Sequence, residues 1–460
     1  YNLSLANTLM WSALGIIIFG NGFFKPNISS MVGSLYPKQE KSKLDTAFTI
    51  FYMGINIGAF LGQFICPLIG DVKDSGGIRD VHAFKWGFLA ASIAMILGTA
   101  IFFFLKNKYV VTPEGKPIGG LPSGHDAADY EEGESQKAEF SMASIIKAVL
   151  IFAVIFFIFN YFTEGDNVVK TIIYPIIYAS GVALAALILM DSTLTKVETD
   201  RIWVIYIMSF FIIFFWAAFE QAGSSLTFIA DNQTDRTFLF GWQMPASMVQ
   251  IFNGLFVVIF AFPFSVLWDK LRAKNSEPLS TVKQSIGLLL IAVSYFIIAH
   301  NVKDLGNTGL LAIKWLILLY LIQTFAELCL SPIGLSLVGK LAPKRFASLA
   351  YGVFFISSAA GYALSGTLGS ILPATGDKFK KASELGIDLQ GILDKTITPT
   401  PEQLKLLDAN QISAYNHSFA GFEITNLYEF FMVFVVLCGI ASLILFLLTP
   451  VIKKMMHGVR

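Results

Sequence analysis

Continuous apolar sequence constrains this chain before anything else. Runs such as IIKAVLIFAVIFFIF (145–159) and FFMVFVVLCGIASLILFLL (430–448) are too long and too apolar for a soluble core. Crossing a bilayer core takes about 20 helical residues, and eleven segments qualify, near 5–36, 46–69, 83–105, 142–161, 171–190, 202–230, 243–268, 284–300, 311–339, 346–372 and 427–452. A membrane β-barrel needs segments of about 10 residues with alternating polarity, which these are not. Composition agrees: 55% of residues are hydrophobic, 14% are charged and 43 are phenylalanine, with a mean hydropathy of +0.65. The expectation is an all-α integral membrane protein whose first partner is the lipid bilayer.

Loop charge gives an orientation, because Lys and Arg are retained on the cytoplasmic side. The connections 37–44, 106–141, 191–201, 269–283, 340–345 and the tail after 452 carry nineteen of them, against five in the short connections of the other set, with the connection 373–426 read as a long loop and left out because long loops escape the rule. The C-terminus is therefore expected in the cytoplasm and Tyr1 outside. An even helix count would return both ends to the cytoplasm, so an odd number of helices is expected to precede Tyr1.

A net charge of +1 without a basic, aromatic-interleaved loop points away from nucleic acid. Cys66, Cys329 and Cys438 have neither disulfide nor metal-site spacing. Glycine-rich nucleotide loops, HExxH and GxSxG are absent from the sequence. An enzyme, a catalytic residue, a metal or a cofactor is not expected, and an ion gradient is the natural energy source.

An internal repeat organises the chain. KPNISSMVGSLYPK (25–38) and SPIGLSLVGKLAPK (331–344) align at an offset of 306, with seven identities that include Pro26 with Pro332, Gly33 with Gly339 and Lys38 with Lys344. A shared helix-ending signal is the plain explanation. The other is a parallel duplication of the major facilitator type, with a substrate site between the halves. It divides the chain into an N-terminal half at 1–106 holding three of its six helices, a loop at 107–141, an inserted two-helix hairpin at 142–198 and a six-helix half at 199–460. The stretch KPIGGLPSGHDAADYEEGESQKAE within 107–141 reads as a mobile cytoplasmic loop.

Charges deep in the apolar segments are expensive and usually face a cavity or a partner. Three are deep: Lys25, Glu220 and Glu327. The offset sets Glu327 against Asn21, one turn before Lys25 and about 6 Å along the axis. The two are expected to form a charge pair across the path, either a permanent tie between the halves or a gate. Glu220, in FFWAAFEQAGSSLTF, suits reversible protonation; a fixed, hydrogen-bonded structural role is the alternative. Asn56 and Asn253 lie mid-helix, where an amide either joins helices or meets a substrate. Gly54, Gly58 and Gly62 form a small-residue face expected to pack on another helix.

GNGFFKPNISSMVGSLYP, FTIFYMGINIGAFLGQFI and FFWAAFEQAGSSLTFIAD closely resemble the proton-dependent oligopeptide transporter family of the major facilitator superfamily. AELCLSPIGLS and the two-helix insert resemble its bacterial members. The resemblance implies two pseudo-symmetric six-helix halves plus the hairpin, and symport of di- and tripeptides with protons by alternating access at the cell membrane. It implies that Lys25 binds the peptide carboxyl end and takes part in proton coupling, that Asn56 and Asn253 bind the peptide backbone, and that Glu327 holds the amino terminus near Ser331 and Ser358. Glu220 matches the proton-carrying carboxylate, and Trp216 a pocket aromatic. The family's Glu-x-x-Glu-Arg motif and first-helix tyrosines are not in this sequence. Phe354 replaces a frequent tryptophan and Gly254 a frequent proline, which changes the expected pocket shape. A relative carrying nitrate or another small solute, and a membrane subunit without flux, are the competing readings.

Proteoliposome uptake checks these assignments. Lys25→Ala and Glu220→Gln are expected to abolish gradient-driven dipeptide uptake, with peptide exchange less affected by Glu220→Gln; accumulation by Glu220→Gln at the parental level would contradict the proton site.

Overall fold

The computed structural model describes residues 3–35, 44–72, 80–111, 115, 117–118, 138–163, 167–303, 305 and 309–459, except for the side chains at 3, 25, 26, 30, 34, 45, 239, 331 and 332. Sixteen α-helices run through the described residues. The first three are α1 (Leu3–Ser34), α2 (Leu44–Gly70) and α3 (Phe84–Tyr109). The hairpin follows as α4 (Met142–Phe162) and α5 (Tyr174–Leu189). Next come α6 (Lys196–Phe219), α7 (Ser225–Asn232), α8 (Ile251–Ala273), α9 (Ser280–Val302), α10 (Ile313–Leu328), α11 (Ser331–Leu341) and α12 (Ala347–Gly369). The chain closes with α13 (Gly376–Glu384), α14 (Leu389–Leu393), α15 (Pro401–Ala409) and α16 (Leu427–Met455). Eleven spans among the described residues are long and apolar enough to cross a membrane, with α6–α7 and α10–α11 each counted as one broken span.

The packed core lies among the later helices. α16 packs on α9, α12 on α6 and α10 on α9, around fully buried Phe215, Tyr295, Phe430, Phe431 and Phe434. Tyr295 stacks on Phe434 at 4.8 Å. The first helices are far more exposed: Ile16, Ile18, Phe19 and Phe23 of α1 and Phe88, Phe103 and Phe104 of α3 all stand open. α2 connects the two regions by packing on α8. Glycine makes this possible, since a Cβ on Gly254 would sit 3.2 Å from the Phe60 backbone nitrogen. At the end of α2, Ser247 donates a hydrogen bond to Asp71.

Two expectations need revision. Gly54, Gly58 and Gly62 meet nothing within 4 Å of a Cβ built on them, so the small-residue face contacts no described helix. α2 approaches its neighbours instead through Phe60, and through the Cys66 carbonyl, 3.1 Å from a Cβ on Gly87. The connection 373–426 is not a plain loop. α13, α14 and α15 enclose a separate small core of Ala382, Ile387, Leu389, Ile392, Leu393, Leu407 and Ile412, and the hairpin of β1 (His417–Phe419) with β2 (Phe422–Ile424) packs through Phe419 and Ile424 on the main core. The acidic stretch at 119–137 lies outside the described residues.

Polar ties hold the helix ends. Glu277, between α8 and α9, accepts from Arg272 at 2.8 Å and from Lys283 at 2.6 Å. Burial opposes ionisation of Glu277, but those two cations outweigh it and hold its carboxyl below the usual range. Lys283 also lies 4.4 Å over the Trp268 ring. Arg345, between α11 and α12, grips Glu198 with two bonds of 2.6 and 3.0 Å and donates to the Thr193 carbonyl. Glu198 closes a capping box with Thr195 at the start of α6. Tyr206 donates to the Ala185 carbonyl, so α5 and the linker after it are fastened to α6.

The Arg345 side chain is 1% exposed, and stranding a buried charge costs about 3–5 kcal/mol. Glu198→Ala should therefore lower the thermal midpoint clearly. A paired Glu198→Met, Arg345→Met variant should lose less, as read by thermal unfolding in detergent.

Candidate functional site

Both carboxylates singled out from the sequence sit where a membrane helix breaks. α10 ends at Leu328 and α11 restarts at Ser331. Pro332 has no N–H to give to the Leu328 carbonyl, and proline is suited to a first turn, so the chain ends one helix and begins another. Glu327 is the penultimate residue before that break. α6 ends at Phe219 and passes through a 3-10 turn, Glu220–Gly223, into α7.

The second break uncovers carbonyls that side chains then satisfy. Tyr295 donates to the Ala218 carbonyl at 2.6 Å, and Gln250 to that of Ala222 at 2.7 Å. Gln221, fully buried, donates to Ala217 and to Ser365 and accepts from Ser225 at 2.6 Å. A buried backbone polar group left unpaired is costly, so these side chains hold the bend at Glu220 in place.

Glu327 is 3% exposed and is shared by three helices. The Tyr52 hydroxyl of α2 donates to one carboxylate oxygen. Asn253 of α8 donates to the other at 2.9 Å, and to the Thr324 hydroxyl at 3.1 Å. Glu220 is near enough to act electrostatically on Glu327, and both act on the Tyr362 hydroxyl of α12. Trp216 packs edge-on against Tyr362, with centroids 5.8 Å apart, so α6, α8, α10 and α12 converge here with α2.

The remaining expected residues divide into three groups. Asn56 is buried, but its amide donates to the Tyr52 carbonyl of its own helix at 2.9 Å. Phe354 and Ser358 are both buried on α12, where Phe354 stands edge-on to Phe355 and would meet a Cβ on Gly334 at 2.9 Å. The side chains of Lys25 and Ser331 lie outside the described residues, and with them the expected Lys25–Glu327 pair. Tyr52 and Thr324 were not singled out by sequence reasoning. The signal was there for both: Tyr52 is one turn before Asn56, and Thr324 is one turn before Glu327.

A bundle of broken and continuous membrane helices around a buried carboxylate has the form of a polytopic transporter with the major facilitator fold. The model for the POT family matches residues 3–120 and 137–385. The chain is 30% identical to the peptide transporter YePEPT of Yersinia enterocolitica subsp. palearctica, over 80% of this chain and 69% of that protein. It is 32% identical to a di-/tripeptide transporter of Lactococcus lactis subsp. cremoris, over 79% and 70% respectively. It also resembles the crystal structure of a POT family transporter in complex with 5-aminolevulinic acid, with a TM-score of 0.62 and 25% identity over 96% of this chain and 76% of that one. The chain belongs to the POT family, and it spans about seven-tenths of the length of the two relatives above.

A hydrogen bond to a charged group contributes about 1.5–3 kcal/mol, which gives the Tyr52–Glu327 contact a measurable weight. Tyr52→Phe and Glu327→Ala are each expected to destabilise the protein, and together by less than their sum. Strict additivity in a double-mutant cycle of thermal unfolding would contradict the contact.

Proposed function

We propose that this chain imports di- and tripeptides together with protons by alternating access, across the inner or plasma membrane, with its C-terminus in the cytoplasm and the proton gradient in place of a cofactor. The observation that carries the reading is the buried Glu327 carboxylate, joined by Tyr52 of α2 and by Asn253 of α8. A free peptide amino terminus is the natural ligand for such a carboxylate, since it brings three donors and a positive charge. In its absence Tyr52 and Asn253 supply donors, which offsets the cost of a buried carboxylate.

The other roles are those that the family resemblance implies, and the two charged ends of a peptide agree with them. Lys25 is the cation assigned to the peptide carboxyl end and to coupling, and Glu220 is the proton carrier. Asn56 and Asn253 are assigned to the peptide backbone, and Ser331 and Ser358 to the surroundings of its amino terminus. Trp216 and Phe354 supply apolar walls, which tolerate varied side chains when recognition is spent on termini and backbone. The relatives, a peptide transporter and a di-/tripeptide transporter, support this substrate class.

Uptake of a labelled dipeptide into proteoliposomes holding the intact protein, with and without an inward proton gradient, decides the matter. Acceleration by the gradient is expected, with competition by unlabelled di- and tripeptides and none by single amino acids; uptake indifferent to the gradient would remove the coupling.

A further inference from the structure

Asn253 spends its whole donor capacity on one helix. Its amide nitrogen has two hydrogens; one goes to Glu327 at 2.9 Å and the other to the Thr324 hydroxyl at 3.1 Å. Thr324 is fully buried, and its own hydroxyl hydrogen goes to the Tyr320 carbonyl one turn back, at 2.8 Å. A threonine hydroxyl has one hydrogen and two lone pairs. With the hydrogen committed to Tyr320, what Thr324 presents to Asn253 is a lone pair.

That arrangement selects one of the two orientations of the Asn253 amide. Flipped by a half-turn, the amide would set its oxygen against the Glu327 carboxylate and against an oxygen whose hydrogen is already committed. Both contacts would place acceptor on acceptor. In the observed orientation both amide hydrogens are used and the carbonyl oxygen is left to accept from something else.

We infer that Thr324 is a positioning residue that fixes the Asn253 amide, so that this amide donates to Glu327 and offers its oxygen to an N–H group of the peptide. The inference rests on the transport reading above. It assigns Thr324 no contact with the peptide, and it makes the three residues a chain running from the Tyr320 carbonyl through Thr324 and Asn253 to Glu327. Substrate affinity then depends on a hydroxyl that does not touch substrate. Valine, equal in shape but without the hydroxyl, frees the amide to turn; serine keeps the hydroxyl and loses only a methyl group.

Dipeptide uptake by the intact protein in proteoliposomes tests this with Thr324→Val and Thr324→Ser. Thr324→Val should raise KM about three- to tenfold, the size of one lost hydrogen bond, with the maximal rate within about twofold of the parent; Thr324→Ser should keep the parental KM. On an Asn253→Ala background, Thr324→Val should change KM no further. An unchanged KM in Thr324→Val, an equal loss in Thr324→Ser, or an additive loss on the Asn253→Ala background overturns the inference. A solved structure of Thr324→Val reads the same point without transport. An Asn253 amide turned away from Glu327 upholds it and an unmoved amide overturns it, whereas a parent protein that moves no dipeptide overturns the transport reading instead.

Discussion

A carboxylate at a break in a membrane helix is the constraint to which the surrounding structure answers. Burying an ion without partners costs many kcal/mol, so Glu327 must be hydrogen-bonded, and its donors come from α2 and α8. To supply Tyr52, α2 has to lie against α8, and the glycine at 254 lets the Phe60 backbone come that close. To supply Asn253, α8 has to pack on α10, as it does. Much of the geometry at the centre of the bundle can be read as what it takes to bring donors to one side chain.

Glu220 presents the same problem with a different solution. No proline marks its break, and the bend is kept by Gln221, Tyr295 and Gln250 reaching carbonyls that a straight helix would have hidden. Glu327 is gripped through its own oxygens, and the helix around Glu220 is gripped through its backbone.

What the sequence made legible follows from how local each signal is. The eleven spans could be read because apolar runs of that length have one outcome; the break at Ser331 fell inside the span read as continuous over 311–339, although Pro332 marks it. The bend at Glu220 carries no such mark, since FEQAGSS contains no obligatory breaker and the donors to its carbonyls come from α9, from the turn before α8 and from its own Gln221. Tyr52 was hidden within an apolar run, counted as an aromatic when its hydroxyl was the functional part. The glycine face of α2 was read correctly as small but has no described neighbour. The 373–426 segment looked like a connection because its helices are short and its core small, a pattern that apolar-run reading passes over.

The clasp of Arg345 on Glu198 and Thr193, with the Tyr206 bond to Ala185, fastens the α4–α5 hairpin to the helices that follow it. In an alternating-access cycle the hairpin then rides as cargo of that body, and does not serve as a hinge between two. The hairpin is therefore a fixed landmark on one side, and a pair of spectroscopic labels, one on α4 and one on α2, would report the swing of the bundle directly.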